Sequence, residues 1–210
     1  MKFHYAKAIP VSTIGYNIYN DSGEWCGVVL YGRGANNNLG NEYNLKQGEI
    51  AELVRVALNG KQECTSKAVA MTLKQLHKDC PLIRLVVSYA DCDQNHLGTI
   101  YQATNWIFVG TKEVGVNGGW IIKGQKVHKR TISGRIKRMG GLKGMPESQF
   151  IKINFDPNAQ KFISKGKRKY LMPMDKKIRK QLTPLALPYP KNDANWTKIN
   201  RTKFINNGTA

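Results

Sequence analysis

Ser88-Tyr89-Ala90-Asp91, followed by His96, Tyr101 and Gln102, brings a hydroxyl, a carboxylate, an imidazole and a phenol behind one apolar run. Side chains of these types move protons: a carboxylate can act as a general base, and a phenol can act as an acid toward a leaving thiolate. The run itself, Leu82-Ile83-Arg84-Leu85-Val86-Val87, suits a strand covered on both faces. Asp91 then falls just past the carboxyl end of a strand spanning 83–88, where open α/β sheets hold their ligands. By position alone Asp91 reads as a general base, a metal ligand or a helix N-cap. Ile100, Ala103 and Trp106 recur at helical spacing, which places Tyr101 and Gln102 on a different face from that stripe.

Several other elements must position this edge. A strand is expected over 25–31, with a Gly- and Asn-rich loop after it, and a second over 49–58. Arg55 interrupts the second, and a guanidinium buried there needs an anionic partner, either Asp91 or a cofactor. Thr65 or Ser66 can cap a helix carrying Val69, Leu73 and Leu76 and ended by Pro81, which completes a strand-helix-strand unit with parallel strands. Ser66 and Lys67 at that helix start face free N–H groups and suit a pyrophosphate such as that of coenzyme A, although capping explains Ser66 equally well. Short strands are expected over 107–109 and from 118. Residues 127–152, which mix basic residues with Gly134, Gly140, Gly141 and Gly144, read as a flexible loop. His77 and His128 read as surface residues, and His4 with Tyr5 as a solvated pair near the start.

Charge is the second strong signal. Net charge is +19 and the pI about 9.9, which points to a polyanionic partner, most simply nucleic acid. Residues 1–120 hold 11 Lys and Arg against 10 Asp and Glu, whereas 121–210 hold 22 against 4. Lys126, Lys129, Arg130, Arg135, Lys137, Arg138, Lys167, Arg168 and Lys169 lie near Trp120, Phe162 and Tyr170, a mixture suited to phosphate contact with base stacking. Ordinary solvated faces would have the same composition. Cys26, Cys64, Cys80 and Cys92 form no Cys-x-x-Cys pair, so free thiols in a reducing compartment are expected. No run approaches the roughly 20 apolar residues that span a bilayer, and a soluble cytoplasmic protein is expected. A zinc deaminase signature, a P-loop, a Gly-x-Gly-x-x-Gly turn and the Asp/Asn-Pro-Pro-Tyr/Phe motif of amino-methyltransferases are all absent.

Residues 88–110, together with His4-Tyr5, Glu52-Leu53-Val54-Arg55, Ser66, Lys169-Tyr170-Leu171 and Pro188-Tyr189-Pro190-Lys191, resemble the phage Mom family over most of the chain. The resemblance implies an α/β (α+β) fold with a GNAT-like mixed central sheet flanked by helices and a basic C-terminal extension. A catalytic core over 1–120 and a basic DNA-binding part over 121–210 would together complete one domain. It implies a transferase that converts adenine in double-stranded DNA to N6-carbamoylmethyladenine in the host cytoplasm, protecting phage DNA from restriction. Asp91, Tyr101 and Arg55 would be catalytic, with Ser66, Lys67 and Ser88 on a small-molecule donor, acetyl-CoA or another. His4, Tyr5 and Asp91 would make an N/O ligand set suited to iron. The chain departs from the usual GNAT pattern over 59–66, which lacks the Arg or Gln followed by a Gly-x-Gly or Gly-x-Ala turn. Two alternatives stay open: a GNAT-like acetyltransferase acting on RNA or protein, and a DNA-binding protein without chemistry.

Overall fold

A computed structural model describes residues 13–34 and 38–191. In chain order these form β1 (Ile14–Tyr19), β2 (Trp25–Gly32), β3 (Ile50–Leu58), α1 (Thr65–Asp79), β4 (Leu85–Asp91), α2 (Thr99–Gln102), β5 (Ile107–Lys112), β6 (Asn117–Ile122), β7 (Gln125–His128), α3 (Lys129–Arg138), α4 (Glu147–Asn154), β8 (Gln160–Ile163), β9 (Lys167–Pro173) and α5 (Lys176–Leu182). The described residues divide into two compact units, one of 13–34, 38–90, 96–110 and 168–191, the other of 91–95 and 111–167.

The first unit is built on a six-stranded mixed sheet in the order β1-β2-β3-β4-β9-β5. β1, β2 and β3 run antiparallel, and β3 and β4 are parallel, joined through α1. Successive residues of β4 point to opposite faces, and both faces are covered. Val86 and Ala90 join a core with Val29, Tyr31, Leu53, α1, Trp106 and Tyr170. Leu85 and Val87 join another with Ile50, Leu171 and, from α5, Ile178 and Leu182. α1 buries Ala68, Val69, Thr72, Leu73 and Leu76, the stripe its spacing predicts. Its N-cap is Cys64, without a side-chain capping bond, rather than Thr65 or Ser66.

Residues 168–191 do not trail away as a basic extension: β9 lies between β4 and β5 inside the sheet. The chain leaves the first unit after Gly110 and returns at Arg168. The second unit packs the three-stranded sheet β7-β6-β8 against α3 and α4 around Trp120, Ile122, Ile132, Ile136, Phe150 and Ile151. Most of 127–152 is therefore helical, α3 because Ile132 and Ile136 give it an apolar face at i, i+4 spacing, and the loop is confined to 139–146 between α3 and α4. Among the described residues no helix is long and apolar enough to cross a membrane.

Within the first unit, Arg84 links β4 to α5: its Nε donates to Asp175 Oδ2 at 2.8 Å, and Nη1 lies 3.6 Å from Glu49 Oε1. Asp175 also caps α5, its Oδ1 accepting from Ile178 N at 2.8 Å. Burial acts to raise the Asp175 pKa, but the Ile178 amide and the Arg84 guanidinium outweigh it and hold the carboxyl below its usual value. A depressed carboxylate stabilises the fold above the ordinary Asp value of about 3.9, and the stabilisation is lost as pH falls through the folded value. Asp175→Asn should therefore lower Tm at pH 7, and the gap to the unaltered protein should narrow as pH falls below about 4; a gap independent of pH would contradict the assignment.

Candidate functional site

Ser88 stands on β4 three residues before Asp91 and is 1% exposed. Its hydroxyl reaches Tyr101 Oη at 2.8 Å and Leu53 O at 2.9 Å. One proton thus serves two acceptors, and Ser88 can donate to the phenol only when it releases the carbonyl. Tyr101 is 8% exposed and reaches this place because α2 lasts a single turn. Its ring packs against Trp106 and Tyr170 at 5.0 Å each. The expected helix through 106 would have turned Tyr101 away from the apolar face; the observed turn drives it into the core instead.

Gly98 sets the entry to α2, with φ +79°. A Cβ there would stand 2.4 Å from the Tyr170 ring. Tyr170 is fully buried and donates its hydroxyl to Leu97 O. Gln102 Nε2 reaches Tyr170 Oη at 3.2 Å and Leu97 O at 3.1 Å. Burial pushes the Tyr170 phenol up to about 12, against the Gln102 bond. Tyr31, whose hydroxyl pairs with Thr72 at 2.9 Å in the same core, is also raised by burial. Tyr170, expected beside the cations for base stacking, is instead buried in this core, and Tyr31 belongs to no motif singled out in the sequence.

In the second unit, Asp91 ends β4 and caps a 3-10 turn, Cys92–Gln94, by accepting from Asp93 N at 2.9 Å through Oδ1. Oδ2 takes no hydrogen bond among the described residues, so the capping reading is correct and leaves one carboxylate oxygen available. Asp93, which sequence reasoning passed over, anchors this turn. Its carboxylate takes Lys126 Nζ at 3.2 Å, Ser164 Oγ at 3.0 Å and Lys165 N at 3.3 Å. Cys92 N donates to Gly166 O at 3.0 Å.

His128 is exposed, as its sequence position suggested, and it also caps α3, with Nδ1 accepting from Arg130 N at 3.3 Å. Acceptance at Nδ1 assigns the neutral ring's proton to Nε2. Burial lowers its pKa, and so do Lys167 and Arg130, while Glu113 and Asp91 oppose them. The imidazole thus lies in the field of Asp91.

The basic residues separate into two groups. Lys129, Arg130, Lys137 and Arg138 are exposed on α3, and Arg135 is half-buried. The others are held inside the protein's own network. Lys126 bonds Asp93 and lies 5.0 Å from the Phe162 ring centroid; Lys167 pairs with Glu113 at 3.0 Å; Arg168 Nη1 donates to His96 O at 2.6 Å. Lys169 is 4% exposed, pairs with Glu42 and lies over the Tyr43 ring. A phosphate-contact role for Lys169 gives way to this internal one, since burial denies the ammonium access to a phosphate backbone.

At the start of α1, Lys67 pairs with Glu63 and Ser66 Oγ lies 3.0 Å from Cys64 Sγ. The Ser66 hydroxyl, followed by the Lys67 and Ser66 amides, lowers the Cys64 thiol pKa. The amides expected to receive a pyrophosphate therefore face a sulfur atom. Ser88, expected on the donor, is committed to Leu53 and Tyr101. Arg55 lies half-buried on β3, opposite Leu30 of β2. All four cysteines are unbridged. Among the described residues no three His, Cys, Asp or Glu side chains group to hold a metal. His4 and Tyr5 of the expected ligand set lie outside the described residues.

The methylcarbamoylase Mom of Escherichia phage Mu is 28% identical over 173 residues, 79% of this chain and 67% of the phage Mu protein. The family model described as the Mom protein family matches residues 1–191, which takes in β4, α2, the whole second unit and β9. By that match the chain belongs to the Mom protein family.

Proposed function

We propose that this protein modifies phage DNA by placing a carbamoylmethyl group on the exocyclic amine of adenine, which shields the DNA from host restriction. The family match over 1–191 is the observation that carries this reading. The name methylcarbamoylase given to the phage Mu relative agrees with it. The antiparallel β1-β2-β3 run into a parallel β3–β4 pair joined by α1, with β9 between β4 and β5, supports a GNAT-like ancestry.

The adenine N6 lone pair is delocalised into the ring, so the amine needs a base or a strong orienting acceptor as it attacks. Asp91 offers that through Oδ2, with Oδ1 fixed by the Asp93 amide. Tyr101 serves as the acid for the leaving group, and Ser88 donates to the phenolate that results. Arg55 supplies positive charge on β3 toward an anionic donor or intermediate. Acyl transfer from acetyl-CoA would leave a carbonyl on N6, whereas a carbamoylmethyl product carries a methylene there, so the reaction needs either a donor other than a simple acetyl thioester, such as a glycine derivative, or a metal-dependent step. His4, Tyr5 and Asp91 would hold iron in a second version of this reading, in which Asp91 Oδ2 is a ligand instead of the base and the metal would supply Lewis-acid or redox chemistry. The exposed cations of α3 grip the phosphate backbone of double-stranded DNA.

Mass spectrometry of nucleosides from the DNA of cells expressing the protein tests this. An adenine nucleoside heavier by a carbamoylmethyl group is expected, and it should vanish with Asp91→Ala while retention on DNA at a given salt concentration is unchanged. An acetyl-sized increment would reassign the donor, and unmodified DNA from cells holding soluble protein would overturn the reading.

A further inference from the structure

Exposed apolar side chains are seldom informative singly, but two occupy one tight turn of the second unit, where the surrounding charge is strongly positive. Residues 91–95 and 111–167 contain 13 Lys and Arg against five Asp and Glu. Between β5 and β6 the chain turns through Glu113 and Gly115 at φ +58° and +79°. Val114 and Val116 project from that turn, 55% and 48% exposed. Both are β-branched and stiff at χ1, so they present a shaped apolar edge at little entropic cost.

The turn is also held firmly and tied to Asp91. Gly115 N donates to Ser164 O at 3.1 Å, and Ser164 N donates to Val116 O at 2.9 Å. Ser164 Oγ donates in turn to Asp93 Oδ2 at 3.0 Å. On the other side, a Cβ on Gly166 would stand 2.7 Å from Val114 Cγ2, and Gly166 O accepts from Cys92 N, the residue after Asp91. Two short bridges, through Ser164 and Gly166, therefore fix the valines relative to the carboxylate. Lys165, exposed on the same returning segment, puts positive charge beside them, while Lys167 is paired with Glu113 at 3.0 Å.

Adenine N6 inside a duplex is stacked and hydrogen-bonded, and enzymes that act on such atoms extrude the base. Proteins that open a base stack commonly do so with apolar side chains inserted between steps while cations hold the flanking phosphates. We infer that Val114 and Val116 form a wedge that enters the duplex beside the target adenine and fills the space the extruded base leaves. The wedge rests on the reading of the protein as an adenine-modifying enzyme and names how its site reaches a base in double-stranded DNA. Positive charge around an apolar tip selects a polyanion with a hydrophobic interior, and duplex DNA has both.

The test needs no donor. Full-length protein is titrated into duplexes carrying 2-aminopurine in place of adenine in several sequence contexts, and into the same strands unpaired. Binding should raise duplex fluorescence several-fold. The double variant Val114→Ser/Val116→Ser should bind within about twofold of the unaltered protein yet give under about a fifth of the rise, while the two should behave alike on single strands. Val114→Ile, which keeps the apolar edge, should retain the signal, and the single variant Val116→Ser serves if the double variant does not fold. An equal rise from the serine variant, or binding without any rise, overturns the wedge and leaves the enzyme reading to the nucleoside experiment. Failure of the unaltered protein to bind any duplex overturns both.

Discussion

Gly98→Ala is expected to be among the most damaging single-methyl additions in the first unit. Two costs combine at this position. The residue adopts φ +79°, where an L side chain crowds its own backbone, for about 1 to 2 kcal/mol. The added Cβ would also stand 2.4 Å from a ring carbon of Tyr170 and 2.9 Å from its hydroxyl oxygen. That ring is no flexible side-chain end: it is fully buried, stacks on Phe108 at 5.2 Å and on Tyr101 at 5.0 Å, and donates to Leu97 O. Overpacking against so fixed a group adds about 1 to 3 kcal/mol. Denaturant unfolding should show a loss of about 2 to 5 kcal/mol, with adenine modification falling as Tyr101 shifts with its neighbours. A loss under 1 kcal/mol would mean that Tyr170 is freer to move than its contacts indicate.

Much of the first unit was legible because its signals are local. Apolar alternation in 25–31, the near-continuous run at 82–87 and the Val69, Leu73, Leu76 stripe each announce an element without reference to the rest of the chain. Asp91 was legible for the same reason, since it closes an apolar run. What escaped depends on distant partners. Tyr170 and Leu171 resembled an apolar patch in a basic tract, and nothing nearby shows that they enter the sheet between β4 and β5. Lys169 looked like a phosphate ligand because its partners, Glu42 and Tyr43, lie far back in the chain. Residues 127–152 were hidden by composition: their glycines and cations suggest a loop, yet Ile132 and Ile136 and the Phe150-Ile151 pair contain enough apolar spacing to have predicted α3 and α4. Asp93 and His128 act only through a turn and a cap formed by tertiary contacts, and no periodicity encodes those.

Tyr101→Phe should separate a chemical role for the phenol from a packing one. Phenylalanine preserves the ring contacts with Trp106 and Tyr170 and removes one buried hydroxyl. The fold should lose only about 1 kcal/mol, because Ser88 keeps Leu53 O as its acceptor. Adenine modification should fall by about 100-fold or more if Tyr101 protonates the leaving group, the range for a lost general acid. Ser88→Ala inverts the balance. Both Tyr101 and the Leu53 carbonyl lose a buried partner, at about 1 to 3 kcal/mol, while the phenol itself remains. Its phenolate would then lack the Ser88 donor while the phenol stays in place to give its proton, so activity should fall by less than in Tyr101→Phe. Modification retained within a few-fold in stable Tyr101→Phe would reduce the tyrosine to packing and leave Asp91 to carry the reaction with some other acid.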